Sequence, residues 1–230
     1  MKKSEIRQER EERRRKECRR LILEAAERVV LRKGSSAMTM DDVAQEAVFS
    51  KATLYHYFRN KGELIQELLA NYYDEIKDEL LRIQRSRLSA GEKLKRSIHF
   101  YLQFNQAKEN ISRMLMMDRG FMEKMRILVA DDKDSVSEKD RRFIDMLKAK
   151  RQEILSGAAE ILKEGMASGA FRKVDLQNAI TFLESTLWGY CHARLWSEKK
   201  HSVREATELI HGFLLKGIEK KGSVSKGESR

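Results

Sequence analysis

Proline is absent from all 230 residues, and only 12 are glycine. Little in such a chain interrupts a helix, and β-branched and aromatic residues never gather into runs that would read as strands. Cysteine is scarce as well: Cys18 and Cys191 lie far apart, without the spacing of a metal or redox pair. That spacing excludes a disulfide-stapled scaffold and fits a reduced, intracellular chain. No apolar run approaches the roughly 20 residues that cross a bilayer. The charged N-terminus lacks the apolar core of a secretion signal. A soluble, cytoplasmic, all-α protein is expected. There is also no phosphate-binding glycine loop, HExxH or nucleophile elbow. Catalysis therefore has no residue to name, and we expect neither an enzyme nor a cofactor.

What the chain does have is charge. Its 47 Lys and Arg exceed its 36 Asp and Glu, for a formal net charge of +11. Such an excess favours polyanions without saying anything about the fold. Residues 1–20 hold ten cations (Lys2, Lys3, Arg7, Arg10, Arg13, Arg14, Arg15, Lys16, Arg19 and Arg20) against five glutamates. This basic arm, taken as residues 1–17, has two readings. It can touch phosphates or a groove, or it can be a solvated helical extension in which Glu11 and Glu12 offset Arg15 and Lys16.

Without proline, helix starts must be marked by side-chain caps. The pattern Ser/Thr/Asn-x-x-Asp/Glu recurs at Thr39–Asp42, Asn60–Glu63, Ser89–Glu92, Ser137–Asp140 and Ser202–Glu205. Each offers an oxygen to an orphan backbone N–H and contributes about 1 kcal/mol. Apolar spacing then predicts helices over about 18–32 (ending at Gly34), 40–47, 51–58, from 61 along a stripe through Ile83, 91–108, 111–126, 138–168, 175–197 and 203–219. Asp131 to Asp134 reads as an exposed loop and 220–230 as a disordered tail.

Residues 21–61 form a short trihelical unit. Ile22, Ala25, Ala26 and Val29 share one side of the first helix, and Met40, Val43, Ala44 and Ala47 one side of the second. In the third, Leu54, Tyr57 and Phe58 fall in one sector and should close a small core, with Tyr57 at its boundary. The opposite sector carries Ala52 and His56, flanked by Lys51, Thr53 and Tyr55. An outward aromatic and basic strip on so short a helix is poor for catalysis, since nothing buried orients the imidazole. It suits a helix entering a major groove.

Ile22-Leu-x-Ala-Ala26, Gly34, Thr39-Met-x-Asp-Val-Ala44, Ala47, Ser50-Lys-Ala-Thr-Leu-Tyr-His-Tyr-Phe58, Lys61 and Leu64 together resemble the DNA-binding domain of the tetracycline-repressor (TetR) family. The resemblance covers about 45 residues in unbroken register and implies a helix-turn-helix over Thr39 to Phe58, within a head of residues 18–64. It implies DNA contact by Thr39, Ser50, Lys51, Ala52, Thr53, Tyr55, His56, Tyr57 and Lys61. Thr39 would touch phosphate, Tyr55 and Lys61 would clamp the backbone, and Lys51, Ala52, Thr53 and His56 would line the groove. Where the family has glycine in the turn, this chain has Val48, followed by Phe49. Either the turn takes another conformation, or it stores strain.

Residues 65–219 resemble the family only in layout, which implies a ligand-binding and dimerising helical body. Five methionines cluster between Met114 and Met125, and thioethers adapt to varied apolar shapes. Tyr101, Phe104, Met114, Met117, Phe121, Met125, Met146, Phe182 and Trp188 are candidate walls of a pocket for an unidentified small-molecule effector, apolar or mixed; plain core packing explains them equally. Ile180, Leu187, Cys191, Leu195, Ile210, Phe213 and Leu214 on the last two helices are candidate dimer residues, against packing within the chain. His99, His192, His201 and His211 show no metal spacing, so no metal site is expected. The expectation is a ligand-responsive regulator, a repressor, that binds near-palindromic double-stranded operator DNA as a homodimer. The alternative is a basic membrane-surface or scaffold protein without sequence-specific DNA binding. The arm lacks the aromatic and aliphatic face that membrane insertion requires, so no membrane partner is expected.

Overall fold

The computed structural model describes residues 2–117, 137–198 and 200–218. They form nine helices: α1 (Lys2–Ala37), α2 (Met40–Glu46), α3 (Lys51–Tyr57), α4 (Lys61–Gln84), α5 (Ala90–Ala107), α6 (Glu109–Met117), α7 (Glu138–Ala167), α8 (Leu176–Trp196) and α9 (Val203–Ile218). The expected all-α class holds. The loop at 131–134, the tail 220–230 and the remainder of the helix expected to reach 126 lie outside the described residues.

All five expected caps form. Asp42 N–H donates to Thr39 Oγ1, Glu63 N–H to Asn60 Oδ1, Glu92 N–H to Ser89 Oγ, Asp140 N–H to Ser137 Oγ and Glu205 N–H to Ser202 Oγ. At Thr39, Ser89 and Ser202 the acid also accepts from the cap's own N–H, closing the reciprocal box. Ser50 and Asp175 cap α3 and α8 in the same way.

The first helix departs from expectation in length. It begins at Lys2, sixteen residues before the first expected turn, and is broken only at Gly34 (φ 79°, ψ 161°). Arg, Glu, Lys and Gln are all good helix formers, so this segment needs no buried face to stay helical, and Arg7 pairs with Glu11 one turn on.

The chain divides into two compact units, residues 1–74 with 108–148 and residues 75–107 with 149–230. In the first, α1 packs on α2 and α6, and α2 packs on α3. Ile22, Ala25, Ala26, Val29, Met40, Val43, Ala44, Leu54 and Phe58 are buried as expected, whereas Ala47 and Tyr57 are half-buried. Full enclosure of Leu54 and Phe58 contributes about 2–3 kcal/mol each. In the second unit α5 packs on α8 and α9 around Leu94, Ile98, Leu102, Leu183 and Ile210.

The turn between α2 and α3 resolves the question raised by Val48. Phe49 N–H donates to Ala44 O (2.9 Å) and Val48 N–H to Gln45 O (3.2 Å), the paired bonds of a Schellman closure. That closure needs a left-handed residue in its middle, and Val48 adopts φ 57°. The side chain is 90% exposed, so no packing offsets the strain. A left-handed L-residue costs about 1–2 kcal/mol, and the added freedom of an unfolded glycine returns about 0.4–1 kcal/mol of that. Val48→Gly is therefore expected to stabilise the protein by about 1 kcal/mol, raising Tm by roughly 2–4 °C. A thermal melt showing a lower Tm would refute the strain.

Candidate nucleic-acid interface

The candidate face is built from what α3 leaves uncovered. With Leu54 and Phe58 enclosed, Lys51, Ala52, Tyr55 and His56 are exposed, and Thr53 is half-buried. Several of these groups already have partners. Thr39 Oγ1 and Ser50 Oγ are the caps of α2 and α3, and Ser50 Oγ also lies 2.8 Å from Thr53 Oγ1. Lys51 Nζ pairs with Asp41 (2.5 Å), and that carboxylate holds its pKa above the ordinary lysine value. Lys61 Nζ donates to the carbonyl of Ser36 (2.8 Å), across the foot of α1. His56 is exposed and meets the Tyr57 ring edge-on, with centroids 5.3 Å apart.

Tyr57 is turned toward α1. A hydrogen bond with the Cys18 thiol raises its phenol pKa, and its carbonyl accepts from Arg19 Nη1 (3.1 Å). The same guanidinium forms a two-pronged ion pair with Glu67 on α4 and lies 4.6 Å from the centre of the Phe58 ring. Arg19 thus joins α1, the end of α3 and α4 in one contact. Sequence reasoning placed it only among the cations of the arm, and it did not find Asp41, the partner of Lys51. Separations of 48 and 10 residues link these pairs, so neither shows a local pattern.

The candidates further along the chain divide between the two units. In the first, Met114 is buried and Met146 lines an open cleft of about 540 Å³ with Glu63, Glu67, Arg142 and Phe143. Phe121, Met125 and the side chain of Met117 lie outside what is described. In the second, Phe104 is buried and Tyr101 packs against the core. Phe182 and Trp188, expected as pocket walls, instead stand on open surface, 69% and 42% exposed. Conversely Ile180, Leu187 and Ile210, expected at a dimer interface, are core residues of their own unit, with Cys191 and Leu214 packed against them. Burial pushes the Cys191 thiol up to about 11, which lowers its thiolate fraction. Leu195 is half-buried, and Phe213 is 74% exposed.

Three of the histidines have other neighbours. His99 Nδ1 lies 3.2 Å from Thr207 Oγ1, His211 Nε2 lies 3.2 Å from Gly91 O, and His192 stacks on Trp188. Among the described residues no group of three metal-ligating side chains occurs, and no helix is long and apolar enough to cross a membrane.

Two capped helices, α2 and α3, beside α1, with one enclosed and one outward face on α3, form a helix-turn-helix arrangement. Residues 22–68 match the family of bacterial regulatory proteins described as tetR. It is 26% identical over 156 residues to the HTH-type regulator YhgD of Bacillus subtilis, covering 68% of this chain and 73% of YhgD. It is 24% identical over 168 residues to the repressor KstR2 of Mycolicibacterium smegmatis, covering 73% and 74%. The fold is shared with FadR from Bacillus subtilis in complex with stearoyl-CoA, at a TM-score of 0.67 and 18% identity over 86% of this chain and 98% of that one.

The Arg19 contact makes a prediction about stability. Arg19→Ala should cost about 1–2 kcal/mol, because it leaves Glu67 without its cation. Arg19→Lys should recover less than half of that, since an ammonium cannot reproduce the two-pronged fork. Denaturant midpoints of the three proteins check both steps.

Proposed function

We propose that this protein is a ligand-responsive transcriptional repressor that binds a near-palindromic operator as a homodimer and is released by a small molecule. The observation that carries the reading is the outward strip of α3, held by complete burial of Leu54 and Phe58 within a tetR-family head. His56, Lys51, Thr53 and Ala52 read base edges. Tyr55, Lys61, Thr39 and Ser50 hold the phosphate backbone, and Tyr57 supports the strip from behind. Binding DNA requires Lys51 and Lys61 to exchange Asp41 and the Ser36 carbonyl for the nucleic acid.

The open apolar face of α8 and α9 supports dimerisation. Phe182, Trp188, Trp196, Leu209 and Phe213 are all exposed, and a patch of this kind marks an interaction surface. Gly189 and Gly212 have open space where a side chain would stand, which lets a partner helix approach closely. The second copy therefore sits on this face rather than on Ile180, Leu187 and Ile210. One helix-turn-helix reads few base pairs, and a two-fold pair sets two reading helices about 34–36 Å apart, one turn of DNA. The effector is apolar or mixed; stearoyl-CoA in FadR is one such molecule. It releases DNA by binding more tightly to a conformer whose heads no longer match that spacing. Such a protein works in the cytoplasm.

Genomic fragments selected by the pure protein would supply the operator for a mobility-shift test. Tyr55→Phe and Lys61→Ala should each weaken operator and random duplex alike by about five- to tenfold. His56→Ala should instead relax discrimination at one or two positions, worth about 1–3 kcal/mol. Wild-type protein that shifts no fragment at low salt would refute the reading. Separately, Phe213→Glu with Trp196→Glu should convert a dimer into monomers by sedimentation. A wild-type monomer at working concentration would refute the dimer.

A further inference from the structure

Helix α2 carries three acids, and they face two ways. Asp42 closes the box with Thr39 and pairs with Lys33 of α1, while Glu46 pairs with Arg28 and Arg32 of α1. Those two carboxylates fasten α2 to α1. Asp41 turns toward α3 instead. Its side chain is 57% exposed, and its carboxylate accepts from Nζ of Lys51 (2.5 Å), ten residues further on at the first position of α3. An acid in the first turn suits the helix dipole, and Asp42 fills that role together with its cap.

The placement of Asp41 is unfavourable on a surface that meets a polyanion. Helix α3 (Lys51-Ala-Thr-Leu-Tyr-His-Tyr57) has no acid of its own, so Asp41 brings a full negative charge to a strip that is otherwise neutral or cationic. An ion pair as exposed as this one adds little to folding, so stability does not account for it. Its consequence lies in what Lys51 can bind. An ammonium is a compact point charge and takes any phosphate within reach. A phosphate brought to Lys51 sets a second full negative charge beside the Asp41 carboxylate, where like charges repel. A guanine edge offers O6 and N7, acceptors without net charge, and the lysine's N–H donors can turn to them without that repulsion.

We propose that Asp41 is a selectivity residue: its carboxylate weakens the hold of Lys51 on phosphate and so reserves that lysine for a base edge, a guanine in the major groove. The inference rests on the DNA-binding reading of the head and deepens it. Asp41 acts through Lys51. It lowers affinity for duplex of any sequence more than affinity for the operator, and the difference adds to the preference for the operator.

The test is a double-mutant cycle read on two duplexes, the operator selected from genomic fragments and a random sequence of equal length. Asp41→Ala frees Lys51 without adding a hydrogen-bonding group, and Asp41→Asn frees it with the side chain's shape kept. Either variant should bind random duplex about three- to fivefold more tightly and gain less on the operator, so that the operator-to-random ratio falls about twofold or more. The slope of log K against log salt on random duplex should steepen by about 0.9 for each head, one more counterion displaced by the freed ammonium. In a Lys51→Ala background the same Asp41 changes should leave both ratio and slope where Lys51→Ala put them. A ratio unmoved by both Asp41 variants overturns the inference, including the case in which Tm falls and the ratio does not, since Asp41 would then serve only its own helix. An equal gain on random duplex with and without Lys51 overturns it too, because the carboxylate would then repel DNA unaided. Wild-type protein that shifts no fragment overturns the reading of the head. Wild-type protein that prefers its operator, with a ratio indifferent to Asp41, overturns this inference alone.

Discussion

Complete enclosure of Leu54 and Phe58 is the constraint on which the trihelical head depends. Helix α3 has seven residues, under two turns, so committing Leu54 and the C-cap Phe58 to the core leaves a single free sector. A helix this short is not stable alone. It is held by the Ser50 cap, by apolar contact beneath, and by Arg19 reaching from α1 to the Tyr57 carbonyl and the Phe58 ring. His56 faces outward because no other side remains to it. The same packing turns Tyr57 inward, so that one of four consecutive aromatic or imidazole residues supports α1 while its neighbours Tyr55 and His56 are presented to solvent.

Local pattern made some of this legible and hid the rest. Caps were readable because donor and acceptor lie three residues apart, and each expected pair forms. The strained turn was readable too: valine stands where a Schellman closure favours glycine, and the backbone takes the left-handed conformation nonetheless. Contacts between residues distant in sequence were not readable, as with Arg19 and Glu67. Helix α8 failed for a different reason. It carries apolar side chains on two opposed faces, Ile180, Leu183 and Leu187 on one, Phe182, Trp188 and Trp196 on the other. Periodicity identifies an apolar face only when the opposite face is polar, so it could not say which side the chain's own core would take. The candidate pocket and interface residues therefore fall on both faces.

Helix α1 shows a complementary limit. Its N-terminal half contains no apolar stripe, so hydrophobic periodicity gave no reason to extend the helix before Cys18. Intrinsic propensity extends it instead.

The two lysines proposed to meet DNA are not idle in the free protein: Lys51 is held by Asp41 and Lys61 by the Ser36 carbonyl. Binding therefore replaces one set of polar contacts with another, and the net gain at each site is far smaller than the gross attraction. Small increments of this kind make a single head a weak binder. In the proposed dimer the contributions of two heads add, at a factor of ten in affinity for each 1.4 kcal/mol. They add only while both heads keep register with the groove. A ligand need not abolish any contact in order to release such a protein. It is enough to favour a spacing at which one head loses its contacts, and the weaker each head is alone, the smaller the preference the ligand must supply.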